Sequence, residues 1–411
     1  MLIVSAGQLL TLQSPGTPKR GKAMREVGLF SPGALAVKDG LVLEAGDRET
    51  VLSAYGKAAR EILEFPGCAV IPGLVDSHTH PVFAGSRLDE LTARLTGEDY
   101  LAIQAKGGGI RKTVAATRAA SDEELYAKAE RVLRRMIRSG ATTLEAKTGY
   151  GLSPDSEIRQ LRILKRLQAE LPAELVITFL GAHSVPPEYA QCRETYVNLL
   201  VEEMLPQAAG LAEFADVFCE SGAFTLEETR KILTAAKRLG FKLKLHAEQF
   251  TSTGAAALGV ELGAVSADHL EALTPRDIEL LAHSDTVAGL LPLTPLFMNQ
   301  ETFPPARELL DRGAIVALAS DYNAGSCFSE GLPGAVSAAC LKMKMSPEEA
   351  LNAAALNAAY ALDRGGSAGS LEKGKKADFL VLDIDDYREF PYHLGANLIK
   401  TVFIKGRRVE V

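Results

Sequence analysis

The chain has 411 residues, of which 47% are hydrophobic, and carries a formal net charge of −7. This length suits one large α/β barrel with a smaller appended domain. Both signs of charge are scattered along the chain. No basic run reaches the strength needed to bind nucleic acid, so a polyanionic partner is not expected. No run of 18 apolar residues occurs, and we expect no membrane-spanning segment.

The five cysteines are widely spaced, and none forms a CxxC pair. This pattern indicates neither a disulfide framework nor a cysteine-based zinc site. Reduced thiols fit the cytoplasm, which is where we expect the protein to act. The N-terminal stretch MLIVSAGQLLTLQSP is apolar, but it has no preceding basic residue and no clear cleavage site. We interpret it as a strand and not as a signal peptide.

Both ends of the chain have the pattern of β structure. Residues 34–46 read ALAVKDGLVLEAG, two apolar runs around Asp39-Gly40, which is a strong hairpin signal. The C-terminal stretches ADFLVLD and NLIKTVFIKGRRVEV have the same character. Because isolated hairpins are marginally stable, we predict that residues 1–66 and 366–411 form one small β-sandwich domain. Two independent surface hairpins are the alternative.

The middle of the chain, residues 67–365, alternates short apolar runs with amphipathic helical stretches such as DEELYAKAERVLRRMIRSG. The candidate strands lie, in order, at residues 69–80, 142–147, 175–183, 215–220, 243–249, 264–270, 285–292 and 314–321. Eight strands alternating with helices predict an α/β fold, a closed parallel (β/α)8 barrel of the TIM type. An open doubly wound sheet is the alternative, but the place of its glycine-rich loop holds His-Thr-His. The glycine-rich segment Lys106–Gly109 has no preceding strand, and we interpret it as a flexible loop.

The strongest chemical signal is the motif DSHTH at the end of the first barrel strand. Residues i and i+2 of a strand face the same way, so His78 and His80 can both point into the barrel mouth. His246 ends the run LKLH, and Asp321 ends the run AIVALASD. Any one of these residues alone would be an ordinary polar residue at a strand end. Together, three imidazoles and one carboxylate suit one zinc or iron ion, with a position left for water.

These residues stand in longer motifs that resemble a known family. PGLVDSHTH, HAEQF, SADHLE and ASDYNAG are similar to the amidohydrolase superfamily. More closely, DSHTHPVFAGSR, EAKTGYGL, FLGAHSVPPEY, KLHAEQ, ADHLE and SDYNAGS resemble the imidazolonepropionase family, and the resemblance spans nearly the whole chain. Members of that family hydrolyse the cyclic amide of 4-imidazolone-5-propanoate to N-formimidoyl-L-glutamate in histidine degradation. The resemblance implies the same activity through a metal-bound hydroxide, in a homodimer. It also implies the metal ligands His78, His80, His246 and Asp321.

The same resemblance implies a pocket for a small substrate that carries a carboxylate. Its residues would be Arg87, Tyr150, His183, Gln249, Asn323, Gly325 and Ser326. A guanidinium can hold a carboxylate through two parallel hydrogen bonds, and an amide side chain can both donate to and accept from a ring. Without the resemblance, these residues would be explained as a surface salt bridge, packing contacts and a simple turn.

Proton transfer is expected from His269 and Asp321. Gln249 stands where some related enzymes carry a glutamate, and an amide cannot act as a general base. Glu248 comes one residue earlier and can point to the other face of its strand. The fourth barrel strand does not end in a lysine of the kind that bridges two metals in binuclear relatives. The sequence therefore predicts one metal ion.

Two other functions stay open at this point. An aromatic deaminase of the same superfamily would share the metal ligands, but a neutral base gives no reason for Arg87 and His183. A non-catalytic metal-binding protein would need the ligands, but Asp321 and His269 together exceed what metal storage requires.

Overall fold

The computed structural model describes residues 1–96 and 108–409. Within these residues the strands form two sheets of eight strands each. Lys106 and Gly107, from the segment interpreted as a flexible loop, lie outside the described residues. Among the described helices, none combines the length and the apolar character that a bilayer span requires.

The strands are numbered in chain order. They are β1 (Leu2–Leu10), β2 (Leu29–Phe30), β3 (Gly33–Lys38), β4 (Leu41–Asp47), β5 (Glu61–Pro72), β6 (Leu74–Asp76), β7 (Ala141–Lys147), β8 (Glu174–Ala182), β9 (Phe214–Cys219), β10 (Lys242–Ala247), β11 (Ser266–His269), β12 (Val287–Leu290), β13 (Val316–Leu318), β14 (Phe379–Leu382), β15 (Ile399–Ile404) and β16 (Arg407–Arg408).

Most helices follow the strands of the second sheet, whereas helix Arg48–Tyr55 packs on β3 of the first sheet. The α-helices are Arg48–Tyr55, Leu88–Leu95, Ile110–Ala119, Asp122–Arg138, Pro154–Glu170, Arg193–Leu199, Leu205–Ala208, Leu226–Arg238, Ala255–Leu262, Pro275–Ala282, Leu293–Phe297, Ala306–Asp311, Leu332–Met343, Pro347–Ala354, Leu356–Tyr360 and Glu389–Tyr392. Short 3-10 turns occur at Gly21–Arg25, Gly56–Ala58 and Pro187–Tyr189, and a π-helical turn occurs at Leu200–Met204.

The two ends of the chain form a single sheet, as the sequence predicts. Its order is β16-β15-β14-β5-β1-β3-β4, and β2 pairs with β1. The C-terminal strand β14 pairs antiparallel with β5 from the N-terminal part, so the two ends are joined by backbone hydrogen bonds. Phe379 stacks on Phe403 inside this domain, with ring centroids 4.4 Å apart. The alternative of two separate hairpins is thereby excluded.

The hairpin expected around Asp39-Gly40 is β3 and β4. Both turn residues have positive φ, 52° at Asp39 and 81° at Gly40. This geometry is that of a type I′ turn, whose twist matches the twist of the two strands it joins.

Strands β6 to β13 lie side by side in chain order, and every neighbouring pair is parallel. This order confirms the (β/α)8 barrel. The sheet closes between its first and last strands just beyond their ends. There the amide of Asp321 donates to the carbonyl of His78 at 3.1 Å, and the amide of His80 donates to the carbonyl of Tyr322 at 2.8 Å.

The segment interpreted as one strand at residues 69–80 divides in two at Gly73. Its first part ends β5, which continues past the predicted domain boundary at residue 66 to pair with β14. Its second part is β6, the first barrel strand. A Cβ at residue 73 would lie 2.2 Å from Oγ1 of Thr142, so only glycine fits where the chain passes from one sheet to the other.

One buried carboxyl of the small domain gives this fold a measurable pH dependence. Burial raises the pKa of Asp378 to about 6, against the backbone hydrogen bond from Lys405 that lowers it. Between about pH 4 and about pH 6, the folded chain therefore keeps a proton that the unfolded chain has lost. Stability falls as the pH rises through this window.

We predict that the substitution Asp378→Asn abolishes this fall of stability with rising pH. The free energy of unfolding of the variant, relative to the unchanged chain, should rise by about 1.4 kcal/mol per pH unit between about pH 4 and about pH 6, and then level off. Urea denaturation at a series of pH values measures it. If the difference in free energy of unfolding between the two proteins stayed constant with pH, the raised pKa of Asp378 would be contradicted.

Candidate metal centre and substrate pocket

Three imidazole rings converge at the C-terminal mouth of the barrel. Nε2 of His78 lies 3.2 Å from Nε2 of His80 and 3.1 Å from Nε2 of His246. The third distance, between His246 and His80, is 3.4 Å. All three side chains are buried. The strand alternation that predicts a shared direction for the two histidines of the HTH motif is therefore consistent with their placement.

Carboxylates stand behind two of these rings. Nδ1 of His78 lies 2.7 Å from Oδ2 of Asp268, a hydrogen-bond distance. Nδ1 of His246 lies 3.1 Å from Oδ2 of Asp216. A carboxylate only accepts, so the ring of His78 carries its proton on Nδ1 and turns an unprotonated Nε2 to the common point. Nδ1 of His246 lies close to its carboxylate without making a hydrogen bond of good geometry. Nδ1 of His80 has no hydrogen-bond partner among the described residues.

Burial keeps two of these rings neutral. Burial lowers the pKa of His78 and of His80 well below the usual value, and neighbouring cationic groups lower it further. Neutral imidazole is the form that binds metal ions. Imidazole nitrogens held at about 2.1 Å around one ion in tetrahedral geometry lie about 3.4 Å apart. The three Nε2 atoms match this spacing, so the residues fit a metal ion.

Asp321 completes the set at the end of the last barrel strand. Its Oδ1 lies 3.6 Å from Nε2 of His78 and 3.7 Å from Nε2 of His80. Its Oδ2 accepts a hydrogen bond of 2.6 Å from Thr294, which leaves Oδ1 facing the rings. The residue has φ of 54°, a conformation that costs energy outside glycine. The backbone bond that closes the barrel holds Asp321 in this conformation.

A group of five charged side chains lies below the histidines, inside the barrel. We call it the buried ionic network, and its members are Glu145, Lys147, Asp216, Lys244 and Asp268. Each is nearly or fully buried. Sequence reasoning did not assemble this network, although its signal was present. Lys244 precedes His246 by two residues and Glu145 precedes Lys147 by two, so each pair faces the same interior.

A cavity of about 580 Å³ opens beside the histidines, within the usual size of a small-molecule site. It is lined by most of the predicted substrate-binding residues together with ligand and proton-transfer candidates, namely His80, Arg87, Tyr150, His183, His246, Gln249, His269, Asp321, Asn323 and Ser326. Of the predicted substrate set, Gly325 is the one that does not line the cavity.

Gly325 instead supports Arg87. A Cβ at residue 325 would lie 2.0 Å from Nη1 of Arg87 and 2.7 Å from its Cζ. The guanidinium therefore occupies the space that a side chain would take. Nε of Arg87 donates to Oγ1 of Thr113 at 2.8 Å, which fixes one edge of the group. This arrangement places a fixed cationic group in the wall of the cavity.

Asn323 holds its own loop together. Its Oδ1 accepts from the amides of Gly325 and Ser326, both at 2.8 Å. Its Nδ2 donates to the carbonyl of Asp321 at 2.8 Å and to Oγ of Ser326 at 2.9 Å. The side-chain amide and the two backbone amides that could contact a ligand are thus engaged inside the turn. The hydroxyl of Ser326 accepts from Asn323 and keeps its own proton to donate.

His183 is bonded to the backbone and also faces the cavity. Its Nδ1 lies 3.0 Å from the carbonyl of Gly149, to which it donates. Burial lowers the pKa of His183 to about 3. In this neutral form Nε2 has a lone pair and no proton, so it accepts hydrogen bonds from a ligand. In this tautomer Nε2 of His183 cannot donate to a carbonyl or a carboxylate oxygen of a ligand.

The two acids near Gln249 both have structural tasks. Glu248 accepts from the amides of Gly254, Ala255 and Ala256, each at 2.8 Å, at the start of helix Ala255–Leu262. It points away from the mouth, as strand alternation suggested. Glu220 accepts from the amide of Phe250 at 2.8 Å and ties down the loop that carries Gln249. The amide of Gln249 has no hydrogen-bond partner among the described residues.

His269 lies on the other side of the histidine cluster, with its ring centroid 5.2 Å from that of His246. Its Nδ1 lies 3.8 Å from Oε1 of Glu271. Burial lowers the pKa of His269, but Glu271 and nearby aspartates outweigh this effect, so the pKa stands above the usual value. Candidate ligand atoms of His78, His269 and Asp321 lie within 4.8 Å of one another. A fourth imidazole, whose pKa favours the protonated form more than usual, therefore lies within reach of the centre.

The sequence matches the model of the amidohydrolase family over residues 69–409. Among curated proteins, the imidazolonepropionase of Bacillus cytotoxicus is 45% identical over 408 residues, which covers 99% of this chain and 96% of that protein. The imidazolonepropionase of Clostridium tetani is 43% identical, covering 100% of this chain and 98% of its own length.

Solved structures of lower identity share the fold. An adenosine deaminase from Xanthomonas campestris, crystallised with bound zinc, superposes with a TM-score of 0.72 at 18% identity, covering 99% of this chain and 92% of the other. The guanine deaminase of E. coli superposes with a TM-score of 0.70 at 15% identity, covering 100% and 99%. At this identity the likeness concerns the fold alone.

The convergence of the three rings generates a direct prediction. His246→Ala removes one of three Nε2 donors, and we expect the purified variant to lose most of its bound metal. Elemental analysis after dialysis measures this metal content. His283→Ala is the matched control, because His283 is exposed on the surface. Equal metal content in the His246 variant and in the control would contradict the ligand set.

Proposed function

The chain belongs to the amidohydrolase family and, within it, to the imidazolonepropionases, and from this premise we propose its reaction. It hydrolyses the ring C–N bond of 4-imidazolone-5-propanoate, a cyclic amide, and gives N-formimidoyl-L-glutamate, a step of histidine degradation. The observation that carries the proposal is one cavity lined both by the imidazole cluster and by a fixed guanidinium, Arg87. A substrate that is at once a cyclic amide and a carboxylate needs both.

Arg87 binds the propionate group of the substrate. Its guanidinium presents N–H groups in a planar fork that matches a carboxylate with two parallel bonds. The contacts with Gly325 and Thr113 hold the fork in place before substrate arrives, which reduces the entropy lost on binding. The hydroxyl of Ser326 and the hydroxyl of Tyr150 supply further polar contacts in the same wall. Gly325 and Asn323 act by shaping the loop.

The imidazolone ring lies between His183 and Gln249. Nε2 of His183 accepts from a ring N–H, and Gln249 can donate to the carbonyl or accept from the second ring nitrogen. The pair orients the ring so that its carbonyl carbon faces the three converging histidines. Glu220 acts indirectly, by fixing the loop that carries Gln249.

His78, His80, His246 and Asp321 hold one metal ion, zinc or iron. When bound, such an ion supplies a water nucleophile at neutral pH and polarises the carbonyl. Asp321 accepts the proton of the attacking water on its carboxylate, which Thr294 holds in place through Oδ2. It then passes this proton to the departing ring nitrogen. His269, whose pKa is raised by the neighbouring Glu271, donates to the oxygen on which negative charge develops.

The balance of the reaction is simple. Water adds to the ring carbonyl carbon, the C–N bond breaks, and the nitrogen leaves with the proton that Asp321 relays. No redox partner and no second substrate are needed. We further propose that the protein acts in the cytoplasm as a homodimer without a nucleic-acid or membrane partner, from the family resemblance, the cysteine pattern and the scattered charge.

The direct test is turnover of 4-imidazolone-5-propanoate by the metal-loaded protein. We expect loss of the imidazolone absorbance and formation of N-formimidoyl-L-glutamate, identified by mass spectrometry, without release of ammonia. The His283→Ala protein should match the unchanged chain, because its altered residue is remote from the cavity. Ammonia release with the ring intact, or metal uptake without any turnover, would refute the proposal.

A second prediction concerns the support of Arg87. Gly325→Ala places a methyl group where Nη1 now lies, so the guanidinium must move. We expect KM to rise by roughly tenfold to a hundredfold, the loss of a charge-assisted hydrogen bond, while metal content stays unchanged. Steady-state kinetics and elemental analysis measure the two quantities.

The control is Gly334→Ala, in helix Leu332–Met343, where an added Cβ meets Leu293 at an ordinary 3.7 Å. This variant should keep the KM of the unchanged chain. If Gly325→Ala lowered kcat at constant KM, Arg87 would not be the group that binds the substrate carboxylate.

A further inference from the structure

The buried ionic network forms a continuous link between two of the metal-binding histidines. From one end, Asp268 contacts His78, and Nζ of Lys244 lies 3.6 Å from the same oxygen of Asp268. Nζ of Lys244 also lies 3.2 Å from Oε1 of Glu145. From the other end, Oδ2 of Asp216 lies 3.1 Å from His246 and accepts from Lys147 at 2.7 Å.

Glu145 joins the two halves. Nζ of Lys147 lies 2.8 Å from Oε2 of Glu145, while Lys244 approaches the other oxygen. Lys244 also donates to the carbonyl of Ser77, the residue next to the first metal-binding histidine. Each lysine therefore stands between the shared glutamate and one aspartate that backs a histidine.

Stability alone does not account for this network. Removing charges from water is costly, and replacing a buried ion pair by apolar residues of similar volume is often neutral or stabilising. None of the five members lines the cavity, so none can contact the substrate. Beyond its own ion pairs, the network contacts the backbone of Ser77, the hydroxyl of Thr178 and the two histidines.

We propose that Lys147 and Lys244 are positioning residues that set how strongly the three histidines hold their metal ion. An aspartate polarises the Nδ1–H of the histidine it faces, which makes Nε2 a better donor to the ion. The ammonium beside that aspartate takes up part of its negative charge. The lysines thus weaken this polarisation, and Glu145 restores part of it by sharing both lysines.

This charge account makes opposite predictions for the two kinds of residue. The network has three carboxylates and two ammonium groups, a sum of −1. Lys147→Met, which keeps a side chain of similar length, leaves a net charge of −2 behind the histidines and should tighten metal binding. Glu145→Gln leaves 0 and should weaken it. The double variant, which carries both Lys147→Met and Glu145→Gln, returns the sum of charges to −1.

The experiment measures the dissociation constant for Zn²⁺ by competition with a chromophoric chelator. We expect Zn²⁺ affinity to rise on the order of tenfold in Lys147→Met and to fall on the order of tenfold in Glu145→Gln. Mutating a residue that supports a metal ligand without binding the metal typically changes affinity on this scale. The double variant should lie within about threefold of the unchanged chain, because independent charge effects on one site cancel. Lys244→Met tests the same account from the side of His78 and replaces Lys147→Met if that protein does not fold.

Lys375→Met is the matched control, since Lys375 is a buried lysine paired with Glu372 and Ser370 and contacts no histidine of the centre. Its Zn²⁺ affinity should equal that of the unchanged chain. If the network were purely structural, both single variants would bind Zn²⁺ more weakly, and the double variant most weakly of all. That pattern would overturn the proposal, and so would an unchanged Zn²⁺ affinity in all three variants. The inference rests on the proposed metal centre but not on turnover, so a failed activity assay leaves this test intact.

Discussion

The rest of the structure depends on three imidazole nitrogens being held within 3.4 Å of one another in a buried place. Three lone pairs at this distance repel each other unless a cation lies between them. Each feature around the centre maintains that arrangement. Burial keeps His78 and His80 neutral, and Asp268 fixes the tautomer of His78. The backbone hydrogen bonds that close the barrel are made by His78, His80 and Asp321 themselves, so closing the barrel also places these metal-binding side chains.

The cavity beside the centre has a different physical basis. Its cationic group, Arg87, owes its position to the absence of a side chain at Gly325 and to a hydrogen bond with Thr113. The turn in its wall is organised by Asn323, whose side-chain oxygen accepts hydrogen bonds from the backbone amides of the loop. The metal-binding part of the site is thus built on strand ends, and the substrate-binding part is built on loops. Such a division lets the chemistry stay fixed while the substrate contacts differ between relatives of the same fold.

Much of this organisation could be read from the sequence because it follows from short-range rules. Strand alternation places both histidines of the HTH motif on one side, and eight apolar runs between helices give the order of the barrel. The division at Gly73 could not be read, because it depends on the distant Thr142. The helix-capping task of Glu248 depends on where three later amides fall. The charged partners of Lys147 and Lys244 come from three different strands, so only the closed barrel reveals them.

The sequence leaves open how some predicted residues are bonded. Nδ1 of His183 donates to the carbonyl of Gly149, so Nε2 remains as an acceptor. Asn323 reads as a ligand-binding amide, but its bonds are used within the loop. Residue type predicts which groups are available, whereas the tautomer and the remaining bonding capacity depend on neighbours that fold next to them.

The central claim, one ion shared by three imidazoles and a carboxylate, is tested most directly by a crystal structure of the metal-loaded protein. Anomalous diffraction at the absorption edge of the bound metal should give a single peak at about 2.1 Å from Nε2 of His78, His80 and His246, with Oδ1 of Asp321 drawn to it. A peak that lies elsewhere, or ligation through Nδ1 of any of these rings, would contradict the account.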